Sequence, residues 1–234
     1  GMHELNNFTL SAQGNIVGFV YSNNGKISSS FTNKIDIKND SAAGLNTISA
    51  GFVGFNTSGE ISLSYSKGAY ADYQELKTTG TAISTNSIGA GFVYNNNSKI
   101  SNCYSNIMLK DVSNTSGRNS AGFVYVNSGN IEQCYSSSLI ENSKTTQMDF
   151  NGVDDYGNLL NTGTITNSYY YNPKSSDSIT SDMEETYSSG VLRVDTLVSS
   201  DIFYGFSFAS VNSQDGVWTM TSSRGPELIS ANEI

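Results

Sequence analysis

At 234 residues the chain fits one large domain, or one domain with an appendage, and its 14 Tyr and 11 Phe are too many for disorder. Only 14 % of residues are charged and the net charge is −9, a surface that repels phosphate backbones and disfavours anionic membranes. No apolar run approaches the ~20 residues of a spanning helix, and two cysteines are too few for a disulfide scaffold.

Gly1 before Met2 reads as a residue left by tag removal, and the only histidine, His3, sits beside it. The stretch 4–16 reads either as a cap or as a cut edge that pairs with a second copy. From there the chain repeats itself. Gly-Phe-Val begins at Gly18, Gly51, Gly91 and Gly122, and "AGFVYNNNSKISNCYSN" (90–106) nearly recurs as "AGFVYVNSGNIEQCYSS" (121–137). A polar turn follows each triplet, then Ile27, Ile61, Ile100 or Ile131, then an aromatic four residues on: Phe31, Tyr65, Tyr104 or Tyr135. A fifth, partial copy, "GTITNSYYY", keeps Ile165 and Tyr169.

The fixed stretches are about five residues long, rich in β-branched and aromatic side chains, and bounded by Gly, Asn and Ser, which favours strands over helices. Three short strands per repeat in constant register predict an all-β solenoid of parallel strands. Each repeat advances about 4.8 Å, so Phe19, Phe52, Phe92 and Phe123 form one column and Ile27 through Ile165 another. The triplet glycine serves either a positive φ or a close approach of neighbouring groups. After each aromatic comes an apolar patch (Ile35 and Ile37, Ala69 and Ala71, Ile107 and Leu109, Leu139 and Ile140). Stretches that differ between copies, 38–47, 72–87, 110–120 and 141–157, read as loops.

Cys103 and Cys134 share one position, occupied elsewhere by Ser30, Ser64 and Ser168, so the site admits only small residues. Strict alternation from Ile100 turns Cys103 outward, whereas a bend at Asn102 turns it inward. Both readings stack the two cysteines, and free thiols are favoured over a disulfide because parallel side chains make that bond awkward.

"GFVYNNNSKISNCYS", "GFVGFNTSGEISLSYSKG" and "GFVYSNNGKISSSF" resemble the GLUG repeat of secreted and surface-attached bacterial proteins, over about 14–172. The chain departs from that pattern in using Phe where Leu is commoner, and Tyr at three of the four positions where a second Gly is usual. The resemblance implies a right-handed parallel β-helix, a place in adhesins or in non-catalytic parts of secreted peptidases, and no catalytic residues. The stretch 203–229 also resembles the segment that often follows such repeats. The division expected is therefore repeats over 4–172 and a capping segment over 173–234. That segment holds one short helix at 181–190, from a Ser181…Glu184 capping box to Gly190. Trp218 serves it as an apolar lid.

A search for chemistry finds no base for a serine nucleophile and no metal or phosphate-loop motif. Catalytic, cofactor-binding and metal residues are expected to be none. Parallel β-helices include polysaccharide-cleaving enzymes with paired carboxylates, so the acids need placing. Glu60 and Glu132 flank ladder isoleucines two repeats apart, Asp154 and Asp155 are chain neighbours, and Asp182, Glu184 and Glu185 suit a helix's first turn. All read as solvated surface. Tyr65, Tyr104, Tyr135 and Tyr169 form either a buried column or an aromatic recognition strip. The expectation is a non-catalytic, secreted or surface-anchored bacterial module acting as a stalk or in adhesion. Its partner would be a host or environmental glycan or protein, with no nucleic acid and no membrane insertion. A polysaccharide lyase or hydrolase, and a spacer of a larger secreted peptidase, are the alternatives.

Overall fold

A computed structural model describes residues 3–41, 47–68, 83–85, 88–111, 120–140, 150–154, 156, 158–171, 191–194, 197, 199–209, 216–221 and 225–229. Among these the chain is nearly all strand, in four parallel sheets and one antiparallel pair. The parallel sheets arise because each repeat lays its strands beside those of the next, residue on like residue. Val20, Val53, Val93 and Val124 pair in one sheet. Ile27, Ile61, Ile100, Ile131 and Ile165 pair in a second, and Phe31, Tyr65, Tyr104, Tyr135 and Tyr169 in a third.

The Phe column is continuous. Rings of Phe19, Phe52, Phe92, Phe123 and also Phe150 stack with centroids 4.9, 4.8, 4.9 and 4.8 Å apart, the strand spacing expected. With the Val and Ile columns it makes the main core, closed at its C-terminal end by Phe150, Tyr170 and Val191. Near-parallel rings at this distance add about 0.5–1.5 kcal/mol per pair beyond the area they bury.

Each repeat uses more strands than the three expected. The second runs Ile48–Ala50, Val53–Asn56, Glu60–Ser62, Tyr65–Lys67 and Ile83–Thr85. The additional breaks are corners made by backbone geometry rather than by Gly or Pro. Ser29, Leu63, Asn102, Gln133 and Asn167, each two residues after a column isoleucine, all hold a positive φ of 45–52°. A left-handed residue that is not glycine costs about 1–2 kcal/mol, and two bonds at each corner oppose that cost. The carbonyl just before the bend accepts the backbone N–H of the bent residue one repeat earlier, as Leu63 N donates to Ser101 O at 3.2 Å. It also accepts the side chain of the residue just after the bend.

The second repeat also differs in where its apolar strand lies. Ile83, not Ala69 or Ala71, takes the position between Ile37 and Leu109. The second repeat is longer than the others, and the additional residues enter before the strand that fills this column instead of after it. Ala69 and Ala71 lie outside the described residues.

The triplet glycine is explained by contact, not by torsion. A Cβ at Gly18, Gly51 or Gly91 would stand 2.0–2.2 Å from the carbonyl oxygen of the same glycine one repeat on. The backbone is drawn in because two successive amides, Phe92 N and Val93 N, both donate to Phe123 O. The same doubled bond recurs at Phe52 O and Phe92 O.

Five residues past each triplet glycine stands an asparagine, and these form a buried amide ladder. Nδ2 of Asn23, Asn56, Asn96 and Asn127 donates to Oδ1 of the next asparagine, ending at Asn161, over 2.8–2.9 Å. Oδ1 of Asn23, Asn96 and Asn127 also accepts an amide two residues on, which shapes the turn that follows. Asn96→Ala removes one rung and strips a buried partner from both neighbours, at about 1–3 kcal/mol for each group left unmet. The expected loss in urea unfolding is about 2–3 kcal/mol, against about 1 kcal/mol for Asn23→Ala at the end of the ladder. Equal losses at both positions would show that the ladder does not act as a chain.

Of the segment expected to cap the end of the stack, one strand sits at that end and the other described residues lie along the flank. Val191–Val194 pairs with Ser168–Tyr171 as the last parallel strand. The described residues within 203–228 lie over the Tyr column, and four contacts mark the route. Tyr169 Oη donates to Tyr204 O and Gln133 Nε2 to Gly205 O. Trp218 Nε1 donates to Asn102 Oδ1 at 3.2 Å, and Lys67 Nζ meets Glu227 Oε1 at 3.4 Å. They belong to the fifth, fourth, third and second repeats in turn. The segment goes there because the outward Tyr column, together with Phe31, is a broad apolar face that the repeats leave uncovered. The helix expected at 181–190 lies outside the described residues.

Candidate binding surface

The bend at Asn102 decides the cysteine question. Cys103 belongs to the main core with the Phe and Ile columns, while Tyr104 turns the other way into the cluster with Trp218 and Phe203. Both cysteines are free and buried. Cys103 Sγ donates to Ser101 O at 3.2 Å and Cys134 Sγ to Glu132 O at 3.3 Å. Ser30, Ser64 and Ser168 make the same bond to the carbonyl two residues back. The position therefore needs a small donor that closes the corner. Burial pushes the Cys103 thiol well above its ordinary value, and neighbouring Cys134 pushes the same way, so it is a poor nucleophile. Cys103→Ser is expected to stay within about 1 kcal/mol of the parent in chemical unfolding. Cys103→Val loses the corner bond and adds a branch to a filled site, at about 2 kcal/mol or more. The reverse ranking would mean that the corner bond carries no weight.

The four tyrosines offered as a recognition strip are not a surface. Tyr65, Tyr104, Tyr135 and Tyr169 are buried beneath Val194, Leu197, Phe203, Trp218 and Leu228. Burial pushes the Tyr65 hydroxyl well above the ordinary tyrosine value, with Glu4 and Glu227 adding to it. Trp218 is fully buried in the flank segment, so it is a lid on the side of the stack.

The acids do not converge. Glu60 pairs in register with Lys26 and Lys99, and its carboxylate lies 3.7 Å from Lys26 Nζ in the open. Glu132 sits in another column, beside Ser101 and Thr166. Asp154 folds its own turn. Its Oδ1 accepts the amides of Tyr156 and Asn158, both at 2.8 Å, and its Oδ2 accepts Asn158 Nδ2. Asp155, Asp182, Glu184 and Glu185 lie outside the described residues. Among the described residues no three His, Cys, Asp or Glu side chains gather as a metal site, and no helix is long and apolar enough to cross a membrane.

The exposed aromatic row lies elsewhere, one residue after Gly-Phe-Val. Tyr21 edges against Phe55 at 5.4 Å, Phe55 against Tyr94 at 5.3 Å, and Tyr94 stacks on Tyr125 at 5.6 Å. Gly54 stands where the other repeats carry tyrosine, and the ring of Phe55, the next residue, fills the gap. Two of these rings, Tyr94 and Tyr125, pack with a column of Ala50, Ala90 and Ala121. Exposure is graded along the row: Tyr21 is 51 % exposed, Phe55 and Tyr94 are half-buried, and Tyr125 is buried. Asn15 Nδ2 donates to the Tyr21 hydroxyl at 3.0 Å and fixes the open end. The signal was present in the sequence. These are the three tyrosines that depart from the second glycine of the repeat pattern, together with the residue after the one glycine that remains.

In the comparisons with known proteins, no family model, no curated protein and no solved structure matches this chain.

Proposed function

We propose that the chain is a right-handed parallel β-helix of the GLUG-repeat kind, serving without catalysis as a stalk or adhesive module of a secreted or surface-attached bacterial protein. Its contact surface is the accessible part of the row, Tyr21, Phe55 and Tyr94. The observation that carries this reading is the row itself. Three accessible aromatic side chains at 5.3–5.4 Å spacing cross three successive repeats, and the row ends on the buried ring of Tyr125. Aromatic rings with polar tips are suited to a glycan or protein surface, because they offer large amphipathic area at low entropy cost. The repeated residues elsewhere have structural tasks in columns, ladder and corners. The acidic surface supports a partner other than nucleic acid.

The test is retention on immobilised glycans and extracellular matrix proteins, using the parent chain and the exposed-face variants Tyr21→Ala and Tyr94→Ala. Binding by the parent to one class, weakened at least tenfold in the variants while their circular dichroism stays unchanged, supports the proposal. Release of reducing or unsaturated sugar ends from a polysaccharide, with no retention that depends on the row, would replace it with the hydrolase or lyase reading.

A further inference from the structure

The fifth repeat interrupts the aromatic row with an insertion. In the first four repeats the ladder asparagine stands four residues after the column phenylalanine, as Asn96 does after Phe92, whereas Asn161 stands eleven after Phe150. Asn151 and Asn161 still keep the register of Val124 and Asn127, so the additional residues leave and rejoin the strand where the other repeats place their row aromatic. They form a hairpin. Val153 pairs antiparallel with Leu159, Asp154 N donates to Asn158 O at 2.8 Å, and Leu160 N donates to Gly152 O at 2.9 Å. Its root is fixed on both sides, with Val153 buried in the cluster of Ile107, Leu109 and Ile140 and Leu160 packed with Tyr125. Gly152 lies so near the Tyr125 ring that a Cβ would stand 2.6 Å from its Cδ2. The hairpin thus stands at the closed end of the row, with Tyr94 stacked on the ring it covers. Asp154 Oδ1 holds the turn by accepting the amides of Tyr156 and Asn158. Tyr156, at the tip, is 89 % exposed, the most exposed aromatic side chain among the described residues.

We infer that Tyr156 is a specificity-determining contact of the same surface, a knob that enters a basic-rimmed pocket on a folded protein partner while Tyr21, Phe55 and Tyr94 pack against that partner beside it. The inference rests on the row being the contact surface. Three observations select such a partner. A side chain standing clear of its own molecule is complemented by a concavity, and folded proteins have pockets where glycan chains do not. The turn is held by its own bonds, so seating the tip costs little ordering entropy, and tyrosine is among the residues that anchor protein interfaces from within pockets. Asp154 and Asp155 precede Tyr156 in a chain whose net charge is −9, which disfavours an anionic glycan and suits a basic rim.

The test is retention on immobilised extracellular matrix proteins and on immobilised glycans, with Tyr156→Ala, Tyr94→Ala and, as control, Tyr204→Ala, a tyrosine 80 % exposed on the flank segment. The parent should be retained on a protein. Tyr156→Ala and Tyr94→Ala should each weaken that retention at least tenfold, Tyr204→Ala should leave it unchanged, and it should fall as salt is raised. Circular dichroism of Tyr156→Ala should match the parent, because so exposed a side chain buries almost nothing. Retention on protein that Tyr94→Ala weakens but Tyr156→Ala does not, or retention on glycans alone, would overturn the inference while the row remains the contact surface. Equal weakening in Tyr204→Ala, or retention that does not fall with salt, would also overturn it. No retention on either support would overturn both readings.

Discussion

Gly91→Ala is expected to cost more than about 4 kcal/mol in chemical unfolding, or to yield no folded protein. The added methyl would lie 2.0 Å from Gly122 O and 2.9 Å from Gly122 C, distances that no side-chain adjustment relieves because the obstacle is backbone. Nor can the backbone retreat. Gly91 N donates to Ala121 O at 2.9 Å, Phe92 N and Val93 N both donate to Phe123 O at 3.0 Å, and one repeat earlier Gly51 N donates to Ala90 O while Phe52 N and Val53 N donate to Phe92 O. Shifting one repeat therefore breaks bonds in two interfaces. Overpacking alone costs about 1–3 kcal/mol in most cores, and here broken sheet bonds add to it. Gly25→Ala is the control, since nothing lies within 4 Å of its new methyl and its φ is negative. That variant should fall within about 0.5 kcal/mol of the parent. If Gly91→Ala were equally mild, the close backbone approach could not be what the repeated glycine is for.

Trp218→Ala should cost about 3–5 kcal/mol, the usual range for emptying a buried indole site, and the loss should be local. Trp218 is fully buried between Phe206 at 4.6 Å and Tyr104 at 6.3 Å, and it anchors the flank segment to the corner residue Asn102. The segment returns across the repeats by separate contacts, whereas the Phe, Val and Ile columns hold one another without it. Hydrogen exchange should show residues 203–229 losing protection, while the amides of Phe52 and Phe92 keep theirs. An equal loss of protection across both would show that the flank segment and the columns fold as one unit.

Much of the fold was legible because a repeat is a statement about neighbours. When the same apolar residue returns at the same position, stacking like on like is the arrangement that buries it, so the Phe and Ile columns and their spacing follow from the sequence. The amide ladder was legible in principle, since Asn23, Asn56, Asn96 and Asn127 stand five residues after their glycines. In the sequence the aromatic row shows only as a departure from the repeat pattern. Ile83 was misplaced because a strand displaced by an insertion has no periodic signal of its own.

The sequence by itself determined that the strands stack in parallel register, that side chains form columns, and that the cysteines share a small site. Only the tertiary structure decided which way those columns face. One left-handed residue at each corner reverses the alternation, so that Cys103 enters the core and Tyr104 leaves it. Strand periodicity assumes an unbroken pleat and cannot contain such a bend. Only the fold, too, laid the described residues within 203–228 along the flank. Where a non-repeating segment binds depends on which apolar face the assembled repeats leave uncovered, and that face exists only once they are stacked.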